Sequence, residues 1–182
     1  MASKDKPTSA QNRGELFDVV DENDNVLRQM TRGEVHAGGY RHRAVHVLVF
    51  GSDRRVFLQK RSLAKDSSPG LWDAACSGHL GAGEGYDQAA HRELEEEIGL
   101  RLPAPPARWF FVAACAETGN EFIWVYRCAS DGPFVLNPAE IERGQWQTVD
   151  ELEQAMRRTP EEFTRPFRHI WRQAAARLES GR

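Results

Sequence analysis

The chain has 182 residues, of which 40% are hydrophobic and 28% charged, and its formal net charge is −3. That size fits one globular domain with a sizeable core, and the slightly acidic balance excludes the global basic field of a nucleic-acid binder. No apolar run is long enough to span a bilayer, and the polar opening MASKDKPTSAQNRG contains no hydrophobic signal region, so a cytoplasmic location is expected.

Residues 1–13 read as a flexible tail and 14–179 as a single domain. Residues 15–21 and 26–31 flank the turn Glu22-Asn23-Asp24-Asn25 and predict a hairpin. Thr31 is placed to cap a brief helix over 32–36 that Gly38-Gly39 ends. The β-rich runs 42–50 and 55–61 surround Gly51-Ser52-Asp53 and predict a second hairpin. A polar loop over 62–70 leads into a short strand at 71–77. A helix is predicted over 86–98 with Gly99 as its stop, followed by a connector containing Pro103, Pro105 and Pro106. Residues 109–117 and 121–129 predict a strand pair around Thr118-Gly119-Asn120. A strand at 145–148, a helix at 150–158 and a helical region over 160–178, interrupted near Pro166, complete the chain. Strands interspersed with a few helices imply an α/β sandwich built on a mixed sheet. Cys76, Cys115 and Cys128 show no CxxC spacing and are expected to be reduced core thiols.

The densest chemistry lies in GHLGAGEGYDQAAHRELEEEIGL, residues 78–100. Glu93, Glu96 and Glu97 are related by i, i+3 and i, i+4, so a helix sets their carboxylates on one face. Ala90, Leu94 and Ile98 repeat on a neighbouring stripe suited to a core. At an effective dielectric of ~20, two charges ~5 Å apart repel by roughly 3 kcal/mol, and a divalent cation would remove that penalty. Oxygen ligands without cysteine favour Mg²⁺, with Mn²⁺ as a substitute. A solvated acidic helix face is the plainer alternative. Two details weigh against it. Arg92 is placed to pair with Glu84 and pin the loop to the helix, and the glycines before the helix let backbone approach a ligand closely.

Read as a pattern, this stretch is Gly78, five residues, Glu84, seven residues, then Arg92-Glu93-Leu94-x-Glu96-Glu97-x-Gly99-Leu100. It fills every fixed position of the Nudix box, and the chain resembles a Nudix hydrolase. The resemblance implies an α/β/α Nudix sandwich with a catalytic loop–helix–loop. It makes Glu93, Glu96, Glu97 and the Gly78 carbonyl metal ligands, and Glu84 with Arg92 a structural pair. A further strand glutamate outside the box is expected, with Glu121 the first candidate and Glu140 the second. The catalytic set is accordingly Glu93, Glu97 and Glu121.

A finer similarity runs over residues 15–172 through VVDENDNVL, RGEVH, HRAVHVLVF, LQKRSLAKDSSPGLWD and CSGH. These resemble the branch that contains isopentenyl-diphosphate isomerases, and the resemblance implies that Arg61 and Lys65 hold a substrate diphosphate. Isomerases place a reactive cysteine directly before a Gly-His pair. Here Ser77 precedes Gly78-His79, and Cys76 is one step too early, which on a strand means the opposite face. The late Glu-x-Glu of isomerases is Gly119-Asn120-Glu121, with one carboxylate missing. Both departures point to hydrolysis. His42 and His46 read as ordinary strand histidines. The alternative is a second metal site of His36, His42 and His79 with Glu121, and the ordinary reading is preferred because the missing cysteine and glutamate deprive such a site of its known use.

The expected activity is Mg²⁺-dependent hydrolysis of a diphosphate linked to another moiety, in a monomer or homodimer with no nucleic-acid partner. The C-terminal arginines are read as a solvated helix face. An isomerase and a non-catalytic ligand-binding module are the competing readings. The signature residues of ADP-ribose, diadenosine-polyphosphate and coenzyme A hydrolases are absent, so the moiety stays open among nucleotide, isoprenoid and thiamine-like groups.

Overall fold

The computed structural model describes residues 12–180, so residues 1–11 of the expected tail lie outside the described residues. Strands β1 (Leu16–Val20) and β2 (Val26–Thr31) form the first hairpin. Helix α1 (Arg32–Gly38) follows, longer than expected by a turn's end. The Thr31 side chain accepts from the Glu34 amide, and the Glu34 carboxylate accepts from the Thr31 amide. This capping box satisfies donors that a helix start leaves open, and Gly39 ends the helix at φ 62°.

The main sheet contains β3 (His42–Phe50), β4 (Val56–Arg61), β5 (Trp72–Ala74), β6 (Cys76–His79), β7 (Ala107–Val112), β8 (Glu121–Ala129) and β9 (Ile141–Gln147). β3 pairs with β8 in parallel, from His42 opposite Glu121 to Phe50 opposite Ala129. Its other edge pairs antiparallel with β6. The second hairpin forms only at its base. Val49 and Phe50 meet Phe57 and Val56, after which β4 departs with β5 and β9 attached. The sheet therefore forks. The single strand expected over 71–77 is divided at Ala75, one half bonding to β4 and the other to β3.

Alternation along β3 explains the layers. Val45, Val47 and Val49 pack with Ala90, Leu94 and Ile98 of helix α2 (Tyr86–Ile98). Ala44 and Leu48 face the opposite way, toward Leu152 of α3 (Val149–Arg158) and Phe167, Ile170, Trp171 and Ala174 of α4 (Arg165–Ser180). Each large apolar side chain fully buried in this way stabilises the fold by roughly 1.5–3 kcal/mol. The result is an α/β/α sandwich with a mixed sheet. Both faces of β3 are covered, which is why it reads as a nearly continuous apolar run.

Further boundaries differ from expectation. The strand predicted over 109–117 stops at Val112, because the buried Thr118 hydroxyl bonds the Cys115 amide and carbonyl and closes a turn. The strand predicted at 145–148 begins at Ile141, and Thr148 instead caps α3. Pro166 lies in the first turn of α4, where its missing N–H breaks nothing, and the interruption falls at Phe163-Thr164 after a 3₁₀ turn (Pro160–Glu162). Among the described residues no helix is long and apolar enough to cross a membrane.

Candidate active site

The fork and the second half of α2 line a cavity of about 380 Å³. The loop entering α2 is tied down by Arg92. Its Nε and Nη2 each donate to Glu84 at 2.8 Å, and Nη2 also reaches the His79 carbonyl at 3.2 Å. The Gly81 amide donates to Glu84 as well. Two parallel charge-assisted bonds fix direction as well as distance. The same guanidinium donates from Nη1 to Glu93 at 2.7 Å and to Glu96 at 3.0 Å.

Glu93 and Glu97 are buried on this helix, whereas the Glu96 side chain is 57% exposed. Glu97 accepts hydrogen bonds from Gln59 Nε2 at 2.9 Å and the Ser77 amide at 3.1 Å. Gly78 is required by contact. A Cβ there would lie 2.0 Å from Glu93 Oε1, so only glycine lets that carboxylate reach β6. Burial raises the Glu93 carboxyl above its usual range, with Arg92 offsetting part of the effect. Burial first, then the charge of Glu93, raises Glu97. Carboxylates so placed are the donor set that a hard divalent cation fits, since its charge offsets both the desolvation and the repulsion. Glu93, Glu97, Glu96 and the Gly78 carbonyl could hold it.

Arg61 and Lys65 line the same cavity, and both are buried. Arg61 Nη2 donates to the Ser67 carbonyl at 3.0 Å, while its Nη1 lies 3.6 Å from Asp73. Lys65 Nζ is paired with Glu140. Arg32 and Asp73 at the cavity and Gln59 beside Glu97 were not named by the sequence reading, and His46, read there as an ordinary strand histidine, also lines the cavity. Only Arg32 left a signal, being one helical turn before His36 on α1.

The structure gathers His36, His42 and His79, whose candidate nitrogens lie within 4.8 Å of one another. Glu121 Oε1 is 3.0 Å from His79 Nε2 and 3.6 Å from His42 Nε2. His42 Nδ1 is 2.9 Å from the Tyr40 carbonyl, which orients the ring, and its buried Nε2 has no hydrogen-bond partner. Burial lowers His36 and His79 to about 4, leaving neutral rings suited to metal ligation. Burial opposes ionisation of Glu121, but the approach of His79 and His42 outweighs it and holds the carboxyl below its usual range. His42 is thus grouped with other potential ligands and does not stand alone on its strand. His46 stands apart from that group.

Comparison with known proteins decides the family. A NUDIX domain model matches residues 40–167. The chain belongs to the Nudix family. An isopentenyl-diphosphate Delta-isomerase of Pectobacterium atrosepticum is 38% identical over 152 residues, covering 82% of this chain and 85% of its own. The Nudix hydrolase YfcD of Escherichia coli is 33% identical over 142 residues, 76% of each chain. A crystal structure from Deinococcus radiodurans superposes with TM-score 0.71 at 26% identity, covering 79% of this chain and 89% of that one. Nudix enzymes hydrolyse phosphorus-containing anhydrides, and the loop and helix described above form the Nudix box of this member. The 40–167 match begins after α1, so Arg32 reaches the cavity, and His36 the histidine cluster, from outside it.

Register fixes how Ser77 and Cys76 face. In the β3–β6 ladder His46 lies opposite Ser77 and Val47 opposite Cys76. Ser77 lines the cavity, while Cys76 is fully buried in the core beneath α2. Burial pushes the Cys76 thiol well above its usual range.

Proposed function

We propose that this Nudix protein hydrolyses a diphosphate joined to another moiety, using Mg²⁺ held by Glu93, Glu96, Glu97 and the Gly78 carbonyl. The observation that carries the reading is the opposition, across one cavity, of two buried box carboxylates and two buried cations, Arg61 and Lys65. When bound, the metal supplies Lewis-acid stabilisation of phosphate charge and a more acidic water. Arg61 presents a planar fork to phosphate oxygens and Lys65 adds a point charge. Glu84 and Arg92 keep the loop against α2. A carboxylate among Glu93, Glu97 and Glu121 takes the proton from the attacking water. Water is the nucleophile, so no covalent enzyme intermediate forms.

The test is phosphate or pyrophosphate release from a panel of nucleoside, sugar, thiamine and isoprenoid diphosphates, with Mg²⁺, with Mn²⁺ and with EDTA. Metal-dependent release from at least one compound is expected. No release from any member would remove the hydrolase reading.

The second reading, an isopentenyl-diphosphate isomerase, is favoured by the convergence of His36, His42 and His79 on Glu121 and by the 38% identity to an isopentenyl-diphosphate Delta-isomerase. Against it stand the position of Ser77 at the cavity and the burial of Cys76, which leave no thiol among the described residues lining the cavity.

A further inference from the structure

Among the polar groups of the cavity that the proposed chemistry does not use, His46 stands out. His46 is buried on β3, and its Nδ1 has no hydrogen-bond partner. A buried nitrogen left in that state is destabilising and calls for a partner. Its nearest charged neighbour is Asp73 on β5, also buried, with 3.5 Å between His46 Nδ1 and Asp73 Oδ1. That separation is too long for a well-formed N–H···O bond. Both groups line the cavity and can meet hydroxyls of a ligand that approaches from it, the imidazole N–H donating to one oxygen and the carboxylate accepting from another. Burial lowers the His46 pKa, so the ring meets a ligand in its neutral form.

We propose that His46 and Asp73 form a recognition subsite for a hydroxyl-bearing group, such as a sugar, attached to the diphosphate. This rests on the diphosphate-cleft reading above and narrows its substrate class. The position is right for it, because Asp73 Oδ2 lies 3.6 Å from Arg61 Nη1, next to the diphosphate clamp. Asp73 Oδ1 already accepts from the Ala74 amide at 2.8 Å, which holds the carboxylate in place while leaving it acceptor capacity. The rest of the wall agrees. Ser77, Asn137 and Thr164 line the cavity, and among its described lining residues there is no Phe, Tyr or Trp. An isoprenoid chain would have to bury hydrocarbon against a desolvated carboxylate and leave both polar groups unmatched. A volume of about 380 Å³ lies within the range of sites that enclose a small ligand.

The experiment compares two non-hydrolysable probes by isothermal titration: ribosyl methylenebisphosphonate and n-pentyl methylenebisphosphonate. They share a five-carbon scale and the same anionic head, and they differ in hydroxyls. The wild-type protein with Mg²⁺ should bind the ribosyl probe about 10- to 100-fold more tightly, the range expected for hydrogen bonds that involve a charged group. In H46F that ratio should fall to about 1, and in the isosteric D73N it should fall about 10-fold. A ratio taken within one variant is insensitive to the fraction folded, so a destabilised variant still reports. Equal binding of the two probes by the wild type, or an unchanged ratio in both variants, overturns the subsite. Hydrolysis is scored separately on the matching diphosphates. Discrimination between the probes without turnover would sink the hydrolase reading and leave the subsite standing.

Discussion

Glu97→Gln should make the metal-free protein more stable while abolishing its activity, a pairing that few substitutions produce. Glu97 Oε2 accepts from Gln59 and from the Ser77 amide. A glutamine amide oxygen can keep both bonds, so the backbone and Gln59 need not move. What is lost is a charge that burial and Glu93 both oppose. At an effective dielectric of ~20, carboxylates ~5 Å apart repel by roughly 3 kcal/mol, and about 1–3 kcal/mol of stabilisation is expected in EDTA. The sign with pH follows. Both carboxyls are raised in the folded state, so their own contribution to the stability of the metal-free wild type is fully present below their ordinary value of 4.5. It is lost as pH rises through the folded values. The substitution removes one of these groups and should flatten that decline. Thermal melts from pH 5 to 9, with EDTA and with Mg²⁺, measure both effects. Mg²⁺ should raise the wild-type melting temperature at pH 8 and leave the variant nearly unmoved. Turnover should fall by more than the roughly 10–100-fold typical of losing an outer partner of a metal ligand. A variant less stable than wild type in EDTA, or one with normal turnover at saturating Mg²⁺, would refute the reasoning.

Arg61→Ala should raise KM by roughly 10–100-fold, the scale of lost charge-assisted hydrogen bonds, whereas Arg177→Ala, on the exposed side of α4, should not; equal kinetics for the two would make Arg61 a structural charge only. Cys76→Ser should leave hydrolysis nearly intact, and the protein should not interconvert isopentenyl and dimethylallyl diphosphate; isomerisation that this substitution abolishes would mean the β6 register is misread. In the native protein Cys76 should also resist Ellman's reagent until unfolding, given its complete burial and raised pKa; prompt labelling at Cys76 would contradict its placement under α2. Gly78→Ala should cost about 1–3 kcal/mol through overpacking against Glu93 and weaken the thermal response to Mg²⁺; an unchanged response would show that Glu93 can move aside freely.

Local chemistry was legible in the chain. The Glu84–Arg92 pair, the glutamate spacing on α2 and the glycine that ends it are all set within about twenty residues, where helix geometry alone dictates neighbours. β3 and β8 fall on the residues predicted, since apolar β-branched runs bounded by turn residues carry their own limits. The one-residue distinction between Cys76 and Ser77 was likewise readable, because side chains alternate along any strand. The fork was not. Nothing in residues 55–61 or 71–77 says that β4 leaves β3 after two residue pairs, because partner choice is settled by the layers packing on each face. The same holds for the meeting of Asp73 with His46 and Arg61, and of three histidines from α1, β3 and β6 with Glu121. Those contacts join segments far apart in sequence. Spacing sets only which face a residue takes, and the fold alone brings the faces together.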